Sequence, residues 1–294
     1  MKTFVNFLLL VVFLIPSTVL LAQNEEGDDD MEYTGPKEGD ENMYVNDIVE
    51  KRLTVENRAV SYEPIREADI AWEKRMWRVI ETREKMNLPF RYPGMPLFNV
   101  FKQILENGDI VAFEDEEFKQ PLSFEDIDKK LNRIDTTVVY DPETYEEKIV
   151  VVKNEIDWST IMSYRISEIW FFDEEASMLR CQIMGIAPIH VLQDDEGGYS
   201  LPYPLFWIHY KSSRDALAKY RVFNDNNDMA PMTWTDLFDS RFFSSYIIKR
   251  SNVLDERVIN LFDPNDERTP INALLESEKI KQELFNFEHD LWEY

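Results

Sequence analysis

The stretch from Tyr164 to Leu192 constrains this chain most. Between residues 164 and 172, Tyr164, Ile166, Trp170 and Phe172 fall on one side of an extended backbone and polar Arg165 and Ser167 on the other. A period of two marks a strand with one covered face. Residues 173–177 then turn the chain into a second apolar run at 178–192, and residues 205–210 supply another rich in aromatics. Residues 136–140 and 148–153 flank Asp141-Pro142-Glu143, a turn signal, so they read as a hairpin. The middle of the chain is therefore expected to form one antiparallel sheet.

Helical signals flank this region. Pro64 opens an expected helix over 64–87, stopped by Pro89. At helical spacing Ile65, Ala68, Trp72, Met76, Val79 and Met86 share one stripe, while Ile70 and Trp77 fall opposite, available either to the same core or to another subunit. Further helices are expected at 96–107, ended by Gly108, at 123–133 with a Ser123/Asp126 capping pair, at 213–220, and at 233–250 with Thr233 and Asp236 as caps. A short strand is expected at 110–113. Thr269 and Pro270 begin a last helix reaching almost to Tyr294. That helix carries two apolar stripes, Ile271, Leu274, Leu275, Phe285 and Trp292 against Ala273, Ile280, Leu284, Phe287 and Leu291. A helix packed on one body needs one stripe, so one is expected to dock on the home subunit and the other to meet a partner or neighbouring subunit. Ile70, Trp77, Ile280, Leu284, Phe287 and Leu291 are the candidate interface residues. The expected fold is α+β: an antiparallel sheet flanked by helices, with a long C-terminal helix.

The beginning of the chain is of another character. Lys2, the apolar run 4–15, the break at Pro16 and Ala22 at a cleavage position read as a signal peptide over 1–22, with no cysteine following to accept a lipid. Residues 23–50 hold eleven acids and one base and read as a disordered acidic tail. The α+β body is expected over 51–262, and a linker with the C-terminal helix over 263–294. The 32 basic residues against 57 acidic ones give a net charge of -25, which repels phosphate backbones and disfavours nucleic acid as a partner.

Catalytic chemistry finds little support. A nucleophile–base–acid triad needs a histidine held by an acid, and only His190, His209 and His289 are present, with no serine in a Gly-x-Ser-x-Gly turn. No two histidines sit at a spacing that places both on one helical face for a metal. Residues 225–228, and Asp263 with Asn265 and Glu267, are oxygen-rich but lack the glycine and distal glutamate of a calcium loop, so they read as turns. Cys181, the single cysteine, excludes an intramolecular disulfide. No catalytic, cofactor or metal residue is assigned on this reading.

A resemblance carries the functional expectation. Residues 65–80, 83–90 with Tyr92-Pro93, 97–100, 164–173, 185–188, 205–210, 214–217, 222–224, 241–247 and 287–292, in this order, resemble the gliding motility protein family GldN, also called PorN. The resemblance implies a non-enzymatic periplasmic scaffold of type IX protein secretion and gliding motility. It implies a ring at the inner side of the outer membrane, built with a lipoprotein partner like GldK or PorK and touching a periplasm-spanning protein like GldM or PorM. Alternatives are a calcium- or glycan-binding module and a cell-wall or glycan hydrolase.

Overall fold

A computed structural model describes residues 57–140, 147–191, 202–225, 227, 230 and 232–291. The expected signal peptide and acidic tail lie outside the described residues. In chain order the elements are β1 (Ile70–Glu81), α1 (Leu97–Glu106), β2 (Ala112–Phe113), β3 (Pro121–Leu122), α2 (Phe124–Leu131), β4 (Asn132–Tyr140) and β5 (Glu147–Glu155). They continue with β6 (Ser163–Asp173), β7 (Met178–His190), β8 (Tyr203–Pro204), β9 (Trp207–His209), α3 (Tyr210–Leu217), β10 (Arg221–Val222), β11 (Met232–Thr233), α4 (Trp234–Asp239), β12 (Tyr246–Arg250) and α5 (Thr269–Asp290). Strands β12-β1-β6-β7-β9-β2-β3 run side by side, with β8 added on β7, and every pairing among them is antiparallel. The α+β class with a long C-terminal helix is thus what the chain adopts.

The first correction falls on the helix expected over 64–87, where Ile70–Glu81 form an inner strand flanked by 3-10 turns at Glu67–Asp69 and Lys85–Arg91. Along β1 the burial alternates from Ile70 to Arg75 and then becomes continuous from Met76 to Ile80. Met76 and Ile80 pack under helices, while Trp77 is buried on the opposite face with Ala187 and Trp207. Apolar residues on both faces blur the period of two and imitate a helical stripe. Pairing with β6 and β12 on either side then decides the matter, as tertiary context overrides propensity.

The second correction concerns residues 233–250. Helix α4 stops at Asp239, and residues 246–250 are edge strand β12. Thr233 and Asp236 do form the expected capping box. The stop comes from Arg241 in the left-handed region at φ 54°, with Phe242 N–H donating to the Leu237 carbonyl and Arg241 N–H to that of Phe238. Helix α1 ends by the same pair of bonds, Asp109 to Ile104 and Gly108 to Leu105, around Gly108 at φ 75°. This terminating motif usually employs glycine, which is why Arg241 hides it from a sequence reading.

The helices cover one face of the sheet in two parts. Ile80, Tyr164, Ile166 and Ile186 meet Phe98, Phe101 and Ile104 of α1 and Trp234 and Phe238 of α4 in the main core. Phe90 holds these together, with its ring 5.7 Å from Tyr164 and 5.3 Å from Trp234. Further along the same face Met76 and Ile247 lie under Ile280 and Leu284 of α5, with Val258 beside them. Helix α5 also closes the sheet edge, since the outward N–H of Ile247 donates to Ser277 Oγ at 2.7 Å. At the other edge β3 is two residues long and begins with Pro121, which discourages strand addition. On the opposite face the 114–118 loop lies so close that a Cβ on Gly185 would sit 2.7 Å from Phe118 Cζ. The expected hairpin forms as β4 and β5 but does not join the expected single sheet, since among the described residues the two pair with each other in a separate two-stranded sheet.

Candidate assembly surface and the buried arginine seam

Where the two core parts meet, the sheet carries charge. Glu168 of β6 is fully buried at the rung where β6 and β7 shift register, and β1 and β12 shift register at Arg78 beside it. Such bulges re-aim side chains locally. Glu168 Oε2 accepts from Arg241 Nη1 at 2.8 Å, and Oε1 accepts from Trp170 Nε1 at 2.7 Å and faces Arg78 Nη1 at 3.5 Å. Arg78 also donates to Ser245 Oγ at 2.9 Å and to the Ser245 carbonyl at 3.1 Å. Arg241 Nη1 lies 3.0 Å from Cys181 Sγ, and its guanidinium stands 5.2 Å over the Trp170 ring. Burial pulls Arg78 down while Glu168 opposes it; for Arg241 burial is outweighed by Glu168, and the net direction is up. Burial, then the Glu168 charge, pushes the Cys181 thiol up, so it is held as a protonated, unreactive thiol.

The seam explains the strained turn. A non-glycine residue in the left-handed region costs on the order of 1 kcal/mol. The ion pair and the Trp170 face hold Arg241 there. Glu168 escaped the sequence reading although a signal existed: it is the one acid in the series 164, 166, 168, 170, 172 that is otherwise apolar or aromatic.

A second polar knot ties down the segment before β1. Asp239 at the end of α4 accepts from Tyr210 Oη at 2.8 Å and Tyr62 Oη at 3.1 Å and pairs with Arg214. The Arg214 guanidinium stacks 3.7 Å above the Tyr62 ring, and Ala59 N–H donates to Asp215 at 3.0 Å.

The residues nominated as an interface are distributed differently from the expectation. Trp77 is buried within its own chain, donating from Nε1 to Glu116 at 2.9 Å with Lys249 Nζ 4.3 Å over its ring. Ile280 and Leu284 are buried against Met76 and Ile247, and Phe287 is half-buried with its ring 4.9 Å from Trp72. Ile70 is half-buried at the start of β1, and Leu291 is exposed at the end of the described residues. The stripe chosen as candidate interface is therefore largely the one that docks at home, because Ser277 and Leu284 face β12. The outward face belongs to Ile271, Leu274, Leu275 and Phe285, each between 50% and 64% exposed. Beside it the 3-10 turn Val258–Leu261 exposes Ile259 and Leu261, and the preceding loop exposes Val253 and Leu254. Exposed large apolar side chains in such number make this side of the chain a candidate interaction surface.

The remaining candidates have ordinary roles. His209 Nδ1 lies 3.0 Å from Ser212 Oγ, His190 is buried beside Tyr203, and His289 is exposed on α5. Asp263 accepts from Asn265 N–H at 2.9 Å in a turn. Among the described residues no three His, Cys, Asp or Glu side chains gather as a metal site, and no helix is long and apolar enough to cross a membrane.

Residues 65–293 match the model of the family described as gliding motility associated protein GldN, well over half of the chain. The chain belongs to the GldN family. Membership ties it to gliding motility and type IX protein secretion. A comparison with curated proteins finds no match. Three of the segments through which the chain resembles GldN, 65–80, 164–173 and 241–247, are those that supply Arg78, Glu168 with Trp170, and Arg241 with Ser245 to the seam.

Proposed function

We propose that this GldN-family chain is a non-enzymatic scaffold subunit. It is exported through a cleaved signal peptide to the periplasm and sits at the inner side of the outer membrane. There it builds a ring with a lipoprotein partner like GldK or PorK and contacts a periplasm-spanning protein like GldM or PorM. The observation that carries this reading is the outward apolar face of α5, since its inner stripe closes the core while Ile271, Leu274, Leu275 and Phe285 are left exposed among the described residues. Burying such side chains contributes up to roughly 1.5–3 kcal/mol each, reduced here because they are already about half covered. Together they offer a few kcal/mol, a fair hot spot for a subunit contact.

The test is a Leu274→Asp/Leu275→Asp variant. It should keep the thermal transition of the parent chain but no longer co-purify with the lipoprotein, and cells carrying it should lose secretion and gliding. If the variant folds, co-purifies and supports secretion as the parent does, the surface is not an assembly contact and the reading fails.

A further inference from the structure

The sheet face turned away from the helices is only partly covered, and beyond Trp77 it opens into a cleft of about 750 Å³. Strand register sets its floor: Val79 lies across from Arg165 and Tyr246, and Glu81 across from Ser163, which in turn faces Ile189. Ser159 and Thr160 add hydroxyls at the rim, and Arg83 and His190 also line it.

Arg165 is the unusual group. Arg78, Arg214 and Arg241 are each paired with a carboxylate, but among the described residues no carboxylate oxygen lies within ion-pair distance of Arg165. Its Nε is buried and without a hydrogen-bond partner, as is Nδ1 of His190 in the same wall. Burial and the nearby Arg257 charge disfavour the Arg165 cation, and Glu116 and Tyr246 oppose them only in part. A buried donor left unsatisfied is costly and calls for an acceptor from elsewhere.

Charge count selects the acceptor. Among the described residues the cleft wall carries Arg83 and Arg165 against Glu81, a surplus of one positive charge on a chain of net charge -25. A carboxylate monoanion matches that surplus, and a guanidinium receives its two oxygens through parallel bonds. A phosphate dianion would leave excess negative charge beside Glu81. The volume exceeds what a carboxylate alone needs, and Val79 and Ile189 provide apolar contact for an aliphatic stem. We propose that this cleft binds an acidic side chain presented by an extended peptide segment of a partner protein, its carboxylate pairing with Arg165. The site lies on the opposite face of the sheet from α5, so it stands or falls separately from the assembly surface.

The experiment titrates the full chain with three blocked tetrapeptides identical except for one position, which is glutamate, glutamine or phosphoserine. Calorimetry should show the glutamate peptide binding about tenfold or more tightly than the other two, and Arg165→Gln should erase the difference. Arg165→Lys, which keeps the charge but not the fork, should retain a reduced preference, and it serves in place of the glutamine variant if that one does not fold. As a second readout, the Arg165 Nε–H resonance should shift on adding the glutamate peptide alone. Equal affinity for glutamate and glutamine peptides, absence of binding to any, tighter binding of phosphoserine, or an unchanged preference in either variant would each overturn the proposal.

Discussion

Replacing Glu168 by leucine removes the carboxylate that two guanidiniums share. Arg78, 6% exposed, keeps Ser245 as a hydrogen-bond acceptor but loses its counter-ion, and Trp170 Nε1 loses its acceptor. Removing one partner of a buried pair costs about 3–5 kcal/mol because the other charge is left uncompensated. Arg241 adds less, since its side chain is 29% exposed and can turn to water. For a body of this size each kcal/mol lowers the melting temperature by roughly 2–4 °C, so Glu168→Leu should lower it by about 6–20 °C. The informative comparison is the double variant Arg78→Met/Glu168→Leu, in which the stranded cation is gone. Its loss in urea unfolding should be smaller than the sum of the two single losses by about 1–3 kcal/mol. Additive losses, or a Glu168→Leu effect within about 0.5 kcal/mol, would refute the claim that the seam is electrostatically coupled.

Other consequences are equally direct. Leu284→Ala should cost about 2–5 kcal/mol while Phe285→Ala stays within about 0.5 kcal/mol, since one fills the core under α5 and the other faces solvent; similar losses at both would show the helix docked differently. Cys181 should resist iodoacetamide in the folded chain at neutral pH and react in step with urea unfolding, because burial pushes its thiol up; prompt alkylation of the native chain would contradict this. Burial pushes Tyr246 up to about 12 from 10.0, and Tyr62, Tyr164 and Tyr210 move the same way. Folded tyrosines then hold their protons more tightly than unfolded ones, so stability present below pH 10 should fall as pH rises toward about 12. Tyrosinate absorbance should therefore appear together with loss of helical circular dichroism; ionisation of all tyrosines before unfolding would be the contrary result.

How much of this was legible in the residues depends on which force decided each element. The β6–β7 pair announced itself because Arg165 and Ser167 alternate with Tyr164 and Ile166, and α1 because Gly108 supplies the left-handed stop. Strand β1 did not, since Trp77 and Met76 are buried on opposite faces and only the neighbouring strands tell the two sides apart. Helix α4 was overextended because its stop rests on Arg241, held by a carboxylate that is distant in sequence. The α5 stripes were visible, yet their assignment was not. Nothing in 269–291 says that Ser277 will meet the edge of β12, and that contact turns Ile280 and Leu284 inward. The Arg165 cleft was invisible for the same reason, as an unpaired arginine is defined by the absence of partners brought by other strands.

The assembly role proposed for α5 would be thermodynamically linked to its docking on its own sheet. Its inner face holds a small core part, with Ile280 and Leu284 over Met76, Ile247 and Val258, separate from the main core and next to the polar seam. A terminal helix docked through a core part smaller than the main one is where local opening is expected first. A partner that binds the outward Ile271–Phe285 face of the docked helix binds only the closed state. It thus adds RT ln(1 + [L]/Kd) to the stability of docking, about 2.7 kcal/mol at a hundredfold excess over Kd. By the same reciprocity, a change that loosens the seam, such as loss of Glu168, raises the population of undocked α5 and weakens partner binding without touching the interface. Assembly and the integrity of the buried arginine seam should accordingly fail together, even though Glu168 lies beneath the helix and Leu274 and Leu275 on its outer side.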